Sequence, residues 1–531
     1  MDKRGILAIV LSLAVLFIYQ ILFTKHQPAP NQPKATEKLE SSKIVVDPKN
    51  KIRPKIIAPS QGTLKEKDIP VDTPLYTAIF TTRGGNIKSF KLKGYRKTID
   101  KNSELIEMVK VLEGMPYPLS VSFPDSSIDI PPDEIYTVNV DSLKMITSEN
   151  TRRLIFSLSY PNEVKVEKTF TFYPGKYAVD LEVRVYNLAA DTLSQNACLS
   201  WYQFVDSSVK TDRYSHKGPI SFVGKSVDRQ KVEKLEAVEL IKSGVSWGGF
   251  ESKYFLVAMI PQNPSITSLS LSKDDRDTVA VSLKGPKNII PPAQVASFGY
   301  SLYLGPKDYS ILKAQGTDLE NAIDFGSWLK WLAMPLLVTL KFLYGYIHNY
   351  GIAIIILTIL IKIIFWPLGN KSYKSMKEMQ KLQPKINELR EKYKDDKQKI
   401  GQETMAMYRK YKVNPLGGCL PMVIQIPVFF GLYKALLYAI ELRHAPFFWW
   451  IQDLSAKDPY YITPIIMGAT MFLQQKMTPT MGDPMQAKIM LWMPVIFTFL
   501  FLSFPSGLVI YWLFNNIISI GQQYYINKRL S

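Results

Sequence analysis

The chain has 531 residues, a formal net charge of +19, 47% apolar residues and two cysteines. It is too long for one ordinary domain. Because Cys198 and Cys419 fall in segments of opposite character, a disulfide framework and a cysteine-based zinc site are excluded. Residues 1–320 are charged and strand-like, whereas Trp328–Ile526 carries long apolar runs. This composition predicts a multi-domain membrane protein in which a water-soluble domain precedes a membrane domain.

Residues 1–23 have the composition of a transmembrane segment. Lys3 and Arg4 precede an apolar run from Gly5 to Phe23, which is about 28 Å long as a helix and therefore long enough to cross a bilayer. No small residues at the spacing of a signal-peptidase site follow the run. We therefore predict an uncleaved signal-anchor helix with a cytoplasmic N-terminus, followed at 24–61 by a flexible, proline-containing linker.

Residues 62–320 alternate in polarity with a period of two. In Tyr177–Asn187 most apolar residues share one face and the charged residues share the other. The preceding Pro174-Gly175 turns this segment back onto Glu163–Phe172, which predicts a hairpin. Many such short strands predict a large antiparallel β-sandwich.

Two segments of this region depart from the pattern. Arg229–Lys242 is predicted to form one helix. Gly244–Gly248 matches the G-x-S-x-G nucleophile elbow, which requires a strand–turn–helix setting followed by an acid and a histidine. The setting is β-rich and only His348 and His444 follow, so a plain glycine turn is the preferred interpretation. Without a P-loop motif or histidines at metal-ligand spacing, the sequence predicts neither an enzyme nor a cofactor or metal site.

Residues 324–348 are predicted to form an amphipathic helix in the membrane interface. Lys330 and Lys341 bracket only ten uncharged residues, which are too few to span a bilayer. Trp328 and Trp331 suit the depth of the lipid headgroups.

Residues 350–526 are predicted to form a bundle of five transmembrane helices. Their apolar runs are Tyr350–Leu368, Pro415–Leu437, Tyr461–Lys476, Lys488–Phe504 and Gly507–Ile526. Between the first two runs, residues 369–413 hold 13 Lys or Arg and six Asp or Glu, with apolar residues at steps of three or four. The positive-inside rule makes this segment a cytoplasmic helical hairpin. It also places the tail at 527–531 in the cytoplasm and the net negative Glu441–Pro459 loop outside.

Lys362 is the most informative single residue. It interrupts Ile352–Trp366, which is otherwise apolar apart from Thr358. A cation at the centre of a membrane helix costs about 2.5–3.5 kcal/mol on insertion scales, so it usually faces a bundle interior or a wet cavity. Lys362 also lies five residues before Pro367, about 7.5 Å along the helix, so snorkelling to the headgroups is the alternative. Spacing alone leaves both interpretations open.

Further polar residues occur in the apolar helices. Thr358 lies one turn from Lys362 on the same face, Gln425 lies in the second predicted span, and Asn515 and Asn516 lie in the last. If they converge with Lys362, they form a hydrophilic pocket in the inner leaflet. The alternative for each is a hydrogen bond that only holds the helices together.

Several short motifs follow one another in the membrane half. They are Leu382–Ile386 (LQPKI), Lys412–Cys419 (KVNPLGGC), Gln425–Pro427 (QIP), Asp458–Tyr461 (DPYY) and Phe504–Val509 (FPSGLV), with Thr82–Gly85 (TRGG) in the β-rich half. In order and spacing they resemble the bacterial insertases of the YidC/Oxa/Alb family.

The resemblance implies a membrane protein insertase and chaperone of the bacterial inner membrane, with a periplasmic β-sandwich and both termini cytoplasmic. It implies a hydrophilic groove open to the cytoplasm and to lipid, whose charge is usually Arg and is Lys362 here. The implied polar wall consists of Thr358, Gln425, Asn515 and Asn516. The implied substrate slide consists of Phe429, Phe501, Tyr511 and Trp512.

The same resemblance implies a set of partners. They are nascent membrane proteins, the phospholipid membrane, the Sec translocon for part of the substrates, and the ribosome through the 369–413 hairpin. We expect the monomer to be functional and no cofactor to be needed.

Two other classes of function remain open from the residues alone. A transporter or channel needs a through-path and often carries an inverted repeat, and no repeat relates the two halves. A periplasmic carbohydrate-binding or scaffold protein would place the activity in the β-sandwich.

Overall fold

The computed structural model describes residues 55–56, 65–148, 150–206, 215–235, 240–326, 328–393, 396–411, 413, 420–478 and 484–530. The predicted signal anchor at 1–23 lies outside the described residues. So do the predicted linker at 24–61, apart from 55–56, and the motif residues 414–419.

The first part of the described chain consists of short strands, and we call the region from Lys55 to Pro306 the β-domain. Its strands are β1 Lys55–Ile56, β2 Asp68–Asp72, β3 Tyr76–Thr81, β4 Asn86–Arg96, β5 Leu105–Glu107, β6 Ser120–Ser122, β7 Ile128–Asp129, β8 Thr137–Val138, β9 Leu143–Lys144, β10 Arg152–Tyr160, β11 Val164–Phe172, β12 Ala178–Asn187, β13 Leu193–Gln195, β14 Cys198–Phe204, β15 Gly218–Val223, β16 Ser226–Arg229, β17 Leu240–Ser243, β18 Val245–Glu251, β19 Phe255–Pro261, β20 Ser268–Lys273, β21 Thr278–Lys284, β22 Asn288–Ile290 and β23 Val295–Pro306.

Three larger sheets build the β-domain. Among the described strands, the largest sheet has the order β16-β15-β18-β19-β23-β12-β11-β10-β8. The two smaller sheets have the orders β17-β20-β21-β14-β6 and β5-β4-β3-β2-β9. The largest sheet packs on both: the rings of Phe80 (β3) and Phe170 (β11) lie 4.8 Å apart, and Leu269 (β20) closes on Gly248 (β18). The architecture is a β-sandwich, antiparallel apart from the short β2–β9 and β1–β7 pairs.

The predicted hairpin is present. β11 and β12 pair antiparallel from Val164↔Asn187 to Phe172↔Val179. The apolar face of β12 is buried and its charged face is not, as the alternation predicts.

The G-x-S-x-G match is a turn between two strands. Gly244 has a positive φ of 69° between β17 and β18, which favours glycine. Ser246 lies within β18 rather than at a turn into a helix. The plain glycine turn is therefore confirmed.

The prediction of one helix over Arg229–Lys242 is wrong. β16 ends at Arg229, a 3-10 turn covers Val232–Lys234, and β17 begins at Leu240. Pairing of these strands with β15 and β20 outweighs a weak local helical preference.

Helices dominate the chain after the β-domain. They are α1 Tyr309–Ala314, α2 Lys330–Ile347, α3 Tyr350–Lys392, α4 Lys397–Lys410, α5 Leu420–Tyr438, α6 Ile462–Met477, α7 Pro484–Phe501 and α8 Ser506–Leu530. The main packing contacts follow the order α5–α2–α3–α8–α6–α7, and α5 touches α3 and α8 only slightly. α5 and α7 therefore occupy the two ends of this order.

α3 is a single helix of 43 residues, whereas the sequence predicts a span ending at Leu368 and a separate hairpin helix. Pro367 and Pro384 lie inside it. A proline removes one backbone hydrogen bond and bends a helix, but flanking turns held by packing can continue through it. The hairpin itself is present, since α4 follows and Met379, Leu382 and neighbouring residues form a small apolar cluster.

By length and composition, α3 is the one helix of the described chain that can cross a membrane. Ile424–Tyr438 and Met490–Phe501 are shorter apolar helices. α2 lies within the predicted interfacial segment, burying Leu337 and Leu340 and exposing Trp331. The bundle of five spans stays a prediction.

The β-domain side of the molecule contacts the α5–α6 loop. Lys341 of α2 lies 3.0 Å from Asp308, the N-cap of α1, and 2.9 Å from Glu441 at the start of that loop. Burial raises the pKa of the Glu441 carboxyl, and Lys341 opposes this shift. Arg443 of the same loop donates to the carbonyl of Lys97 at 3.1 Å. The loop and the β-domain therefore lie on one side of the helices.

Candidate functional site

Lys362 belongs to α3, and its side chain is buried against α8. Its side chain is 6% exposed, and its Nζ donates a hydrogen bond to Oγ of Ser519 at 2.7 Å. Within the described part of the chain this is its one hydrogen bond, and no carboxylate lies within ion-pair distance. An ammonium has three N–H donors. Two of them therefore have no partner among the described residues.

Ser519 is held in place by its own helix. Its hydroxyl donates to the carbonyl of Asn515 at 2.7 Å, one turn earlier on α8. Because that donation uses its only proton, the hydroxyl is left to Lys362 as an acceptor. The acceptor for Lys362 is therefore fixed.

The polar contact between α3 and α8 continues one turn further along. Nε2 of Gln522 donates to the carbonyl of Trp366 at 3.2 Å and to Oδ1 of Asn370 at 2.9 Å. Gly369 allows this approach, because a Cβ there would lie only 2.7 Å from Nε2 of Gln522. We call Lys362, Ser519, Gln522 and Asn370 the polar seam.

Asn516 belongs to a different face of α8. Its Nδ2 donates to Oγ1 of Thr470 on α6 at 3.3 Å. Gln523, seven residues later and therefore on the same face, donates to the carbonyl of Met477 at the end of α6. The adjacent asparagines are thus separated: Asn516 joins α8 to α6, whereas Asn515 precedes Ser519 by one turn.

Thr358 and Gln425 make no hydrogen bond to Lys362 within the described residues. Thr358 is fully buried, and its hydroxyl donates to the carbonyl of Ile354 in its own helix at 2.7 Å. Gln425 is half-buried on α5. Of the polar residues that the sequence singles out, only Asn515 is linked to Lys362, and the link runs through Ser519.

The four predicted slide residues form one aromatic cluster. Trp512 of α8 lies at its centre, with ring centroids 4.6 Å from Phe429 on α5 and 5.2 Å from Phe501 on α7. Tyr511 stacks on Phe429 at 6.3 Å. Phe501 and Tyr511 are buried, and Nε1 of Trp512 has no hydrogen-bond partner in the described structure. The cluster therefore closes the space between α5 and α7.

The polar seam and the aromatic cluster share α8 and offer different chemistry. Trp512 and Ser519 are seven residues apart, which is about 10.5 Å along a helix. The aromatic rings can bury an apolar segment. The two remaining N–H groups of Lys362 can donate hydrogen bonds to a carboxylate or a carbonyl. The arrangement suits the binding of a polypeptide with an apolar stretch and a polar flank.

Sequence reasoning missed Ser519 and Gln522, although a signal for them was present. They follow Asn515 at steps of four and three, the spacing of one helical face. Extending the polar pattern of α8 beyond the asparagine pair would have found both.

The fold and the site define a protein in which a β-sandwich precedes a helical domain that buries the ammonium of Lys362 on a helix long and apolar enough to cross a membrane. Residues 68–339 match the YidC periplasmic domain family, and residues 342–531 match the 60Kd inner membrane protein family. The chain belongs to the YidC family of membrane protein insertases.

Similar proteins match over the whole length. The membrane protein insertase YidC of Syntrophus aciditrophicus (strain SB) is 65% identical and covers 100% of both chains. The YidC of Geobacter metallireducens is 44% identical over 100% of this chain and 99% of the relative. A crystal structure of an active YidC insertase with its first transmembrane domain resolved covers 88% of this chain and 94% of its own, at 21% identity and a TM-score of 0.37.

Membership of this family decides among the functions that the sequence left open. The chain is an insertase that acts on nascent membrane proteins and is not an enzyme. It is an inner membrane protein with a periplasmic β-domain and a helical insertase domain.

Proposed function

We propose that Lys362 and the aromatic cluster are the two parts of a substrate groove open to the cytoplasm and to lipid. The hydrophobic segment of a nascent membrane protein enters between α5 and α7, beside Phe429 and Phe501. Its hydrophilic flank, often acidic, pauses near Lys362, which reduces the cost of moving polar residues across the membrane. Burial of the new helix drives the step, so no nucleotide hydrolysis is needed.

The observation that carries this proposal is the unsaturated ammonium of Lys362. A buried polar group without a partner costs about 1–3 kcal/mol, and more if it is charged. Lys362 has one acceptor within the described residues, so its remaining N–H donors are available to bind an acidic flank.

The aromatic cluster supports the path between α5 and α7. These helices lie at the two ends of the packing order, and Phe429, Phe501 and Trp512 fill the space between them. An entering segment can displace these side chains more easily than it can separate two helices that pack directly against each other. The indole N–H of Trp512 has no partner among the described residues and can donate a hydrogen bond to a carbonyl of the passing segment.

The remaining predicted wall residues fit this groove unequally. Thr358 is one turn from Lys362, Gln425 is half-buried on α5, and Asn515 holds Ser519 through its carbonyl. We assign these three to the groove wall. Asn516 instead suits the structural role, because its amide bonds to Thr470.

The proposed topology has both termini and the 369–413 hairpin in the cytoplasm, with five spans in the helical domain. The contact of Arg443 with the β-domain supports a periplasmic Glu441–Pro459 loop. α3 leads away from that side for 43 residues, about 64 Å as a helix, so its basic end reaches the opposite face.

The 369–413 hairpin is the proposed ribosome contact. The proposed functional unit is the monomer, which acts alone or with the Sec translocon.

Replacement of Lys362 by alanine tests the charge role. In reconstituted vesicles, Lys362→Ala should lower insertion of an acidic-tailed single-span substrate about tenfold, which corresponds to losing roughly 1.4 kcal/mol of interaction. Lys528→Ala removes an exposed lysine of α8, outside the polar seam and the 369–413 hairpin, and should insert the substrate normally. Insertion by Lys362→Ala at the wild-type level would refute the role.

A further inference from the structure

Lys362 needs an acceptor to stay inside the bundle. Its stem is long and flexible, and the cytoplasmic headgroup level is within reach by snorkelling. The hydroxyl of Thr358 donates to the carbonyl of Ile354, and among the described residues it forms no hydrogen bond with Lys362. In the described structure, Ser519 is the acceptor that holds Nζ, at 2.7 Å.

We propose that Ser519 is a positioning residue for insertion, because its hydroxyl holds the Lys362 ammonium in the groove with two N–H groups left for the substrate. This inference rests on the proposed substrate role of Lys362. Ser519 touches Lys362 rather than the inserting polypeptide. We therefore expect Ser519 to affect insertion only through the position of the Lys362 ammonium.

A neutral acceptor suits this task better than a carboxylate. A carboxylate beside Lys362 would form an ion pair and compete with the acidic flank of the substrate. The serine hydroxyl accepts one hydrogen bond and leaves the positive charge uncompensated. Because its own proton is committed to Asn515, it cannot turn that proton toward the ammonium.

The rest of the polar seam fixes the distance between Ser519 and Lys362. Gln522, one turn beyond Ser519 on α8, bonds to Trp366 and Asn370, which lie one and two turns beyond Lys362 on α3. α8 is therefore fastened to α3 directly beside the Lys362–Ser519 contact. The hydroxyl is a preorganised partner rather than an occasional one.

The experiment compares two single-span substrates that differ only in tail charge, one with acidic residues and one with the matching amides. Ser519→Ala should lower insertion of the acidic-tailed substrate about fivefold, the size expected for one hydrogen bond, and change the neutral one less than about twofold. Ser519→Thr keeps the hydroxyl and should retain the wild-type ratio between the two substrates. Ser519→Asp should selectively lower insertion of the acidic-tailed substrate.

Ser506→Ala is the matched control. It removes a buried hydroxyl of equal size from the same helix, where Ser506 bonds to Ala456 far from Lys362. Any loss there should affect both substrates alike. In the Lys362→Met background, Ser519→Ala should cause no further change in the ratio.

Two results would overturn the inference: an unchanged substrate ratio in Ser519→Ala, or equal losses for both substrates that threonine does not restore. If Lys362→Ala itself has no effect, the charge role fails. If Lys362→Ala lowers insertion and Ser519→Ala leaves the ratio intact, only the positioning role fails.

Discussion

The β-domain and the helical domain each bury a lysine, and the two lysines are used in opposite ways. Lys168 on β11 is completely buried and donates to the carbonyl oxygens of Gly84 and Leu119 at 2.8 Å and to Oδ1 of Asn86 at 2.9 Å. All three donors of its ammonium are satisfied. Burial lowers the pKa of Lys168, whereas the three acceptors favour its charged form.

Lys362 is almost as deeply buried but donates to one acceptor among the described residues. Burial therefore does not distinguish the two lysines, and the number of satisfied donors does. A saturated ammonium fastens loops of the β-domain together, while an unsaturated one keeps binding capacity for a substrate.

The largest expected effect on stability is at the saturated lysine. Lys168→Met leaves three buried acceptors without their donor and should lower the free energy of unfolding of the β-domain by about 3 kcal/mol. Denaturant unfolding followed by tryptophan fluorescence measures this change. Insertion per folded molecule should be unaffected.

Lys165→Met is the control for that measurement. Lys165 lies on the same strand but on its solvent side, where it pairs with Glu167. Its loss should cost less than about 1 kcal/mol. Equal losses in Lys168→Met and Lys165→Met would contradict the stabilising role of the three Lys168 hydrogen bonds.

The unsaturated lysine should show almost no effect on stability. Lys362→Met removes one hydrogen bond together with a desolvated charge, so the thermal midpoint of the reconstituted protein should stay the same or rise. Insertion of the acidic-tailed substrate should still fall. A loss of about 2 kcal/mol or more would mean that Lys362 is held for structure.

A small loss of stability, with no change in substrate preference, is expected at a polar contact of the bundle that we regard as structural. Asn516→Ala and Thr470→Val each remove one interhelical hydrogen bond and should cost about 0.6 kcal/mol, the typical size in a membrane bundle. The double variant should lose little more than either single one. A selective defect with acidic-tailed substrates would instead place Asn516 in the groove.

The β-domain shows how far local patterns reach. The β11–β12 hairpin was predictable because its alternation and its Pro174-Gly175 turn are both local. Arg229–Lys242 was not, because its strands form on partners that lie elsewhere in the chain. α3 was predicted to end at Leu368 because the apolar run gives way to a basic segment there, but the helix continues into that segment.

The candidate site shows the same limit: local patterns are readable from the sequence, whereas contacts between distant segments are not. Lys362 stands out because a charge is rare in an apolar span, and the resemblance pointed to the aromatic residues. The separation of Asn515 from Asn516 depends on a rotation of about 100° between neighbouring helical residues and on which helix lies opposite. The polar pattern of α8 could have identified Ser519, but its contact with Lys362 depends on how α3 and α8 pack and is seen only in the structure.

The continuity of α3 has a mechanical consequence. Its apolar half carries Lys362, and its basic half forms one arm of the hairpin, with no loop between them. Pro367 and Pro384 lie inside the helix and each removes a backbone hydrogen-bond donor, so we expect bending to concentrate there. A load applied to the arm from the cytoplasm therefore reaches the membrane either as a tilt of the whole rod or as flexing at Pro367, about one and a half turns from the buried cation.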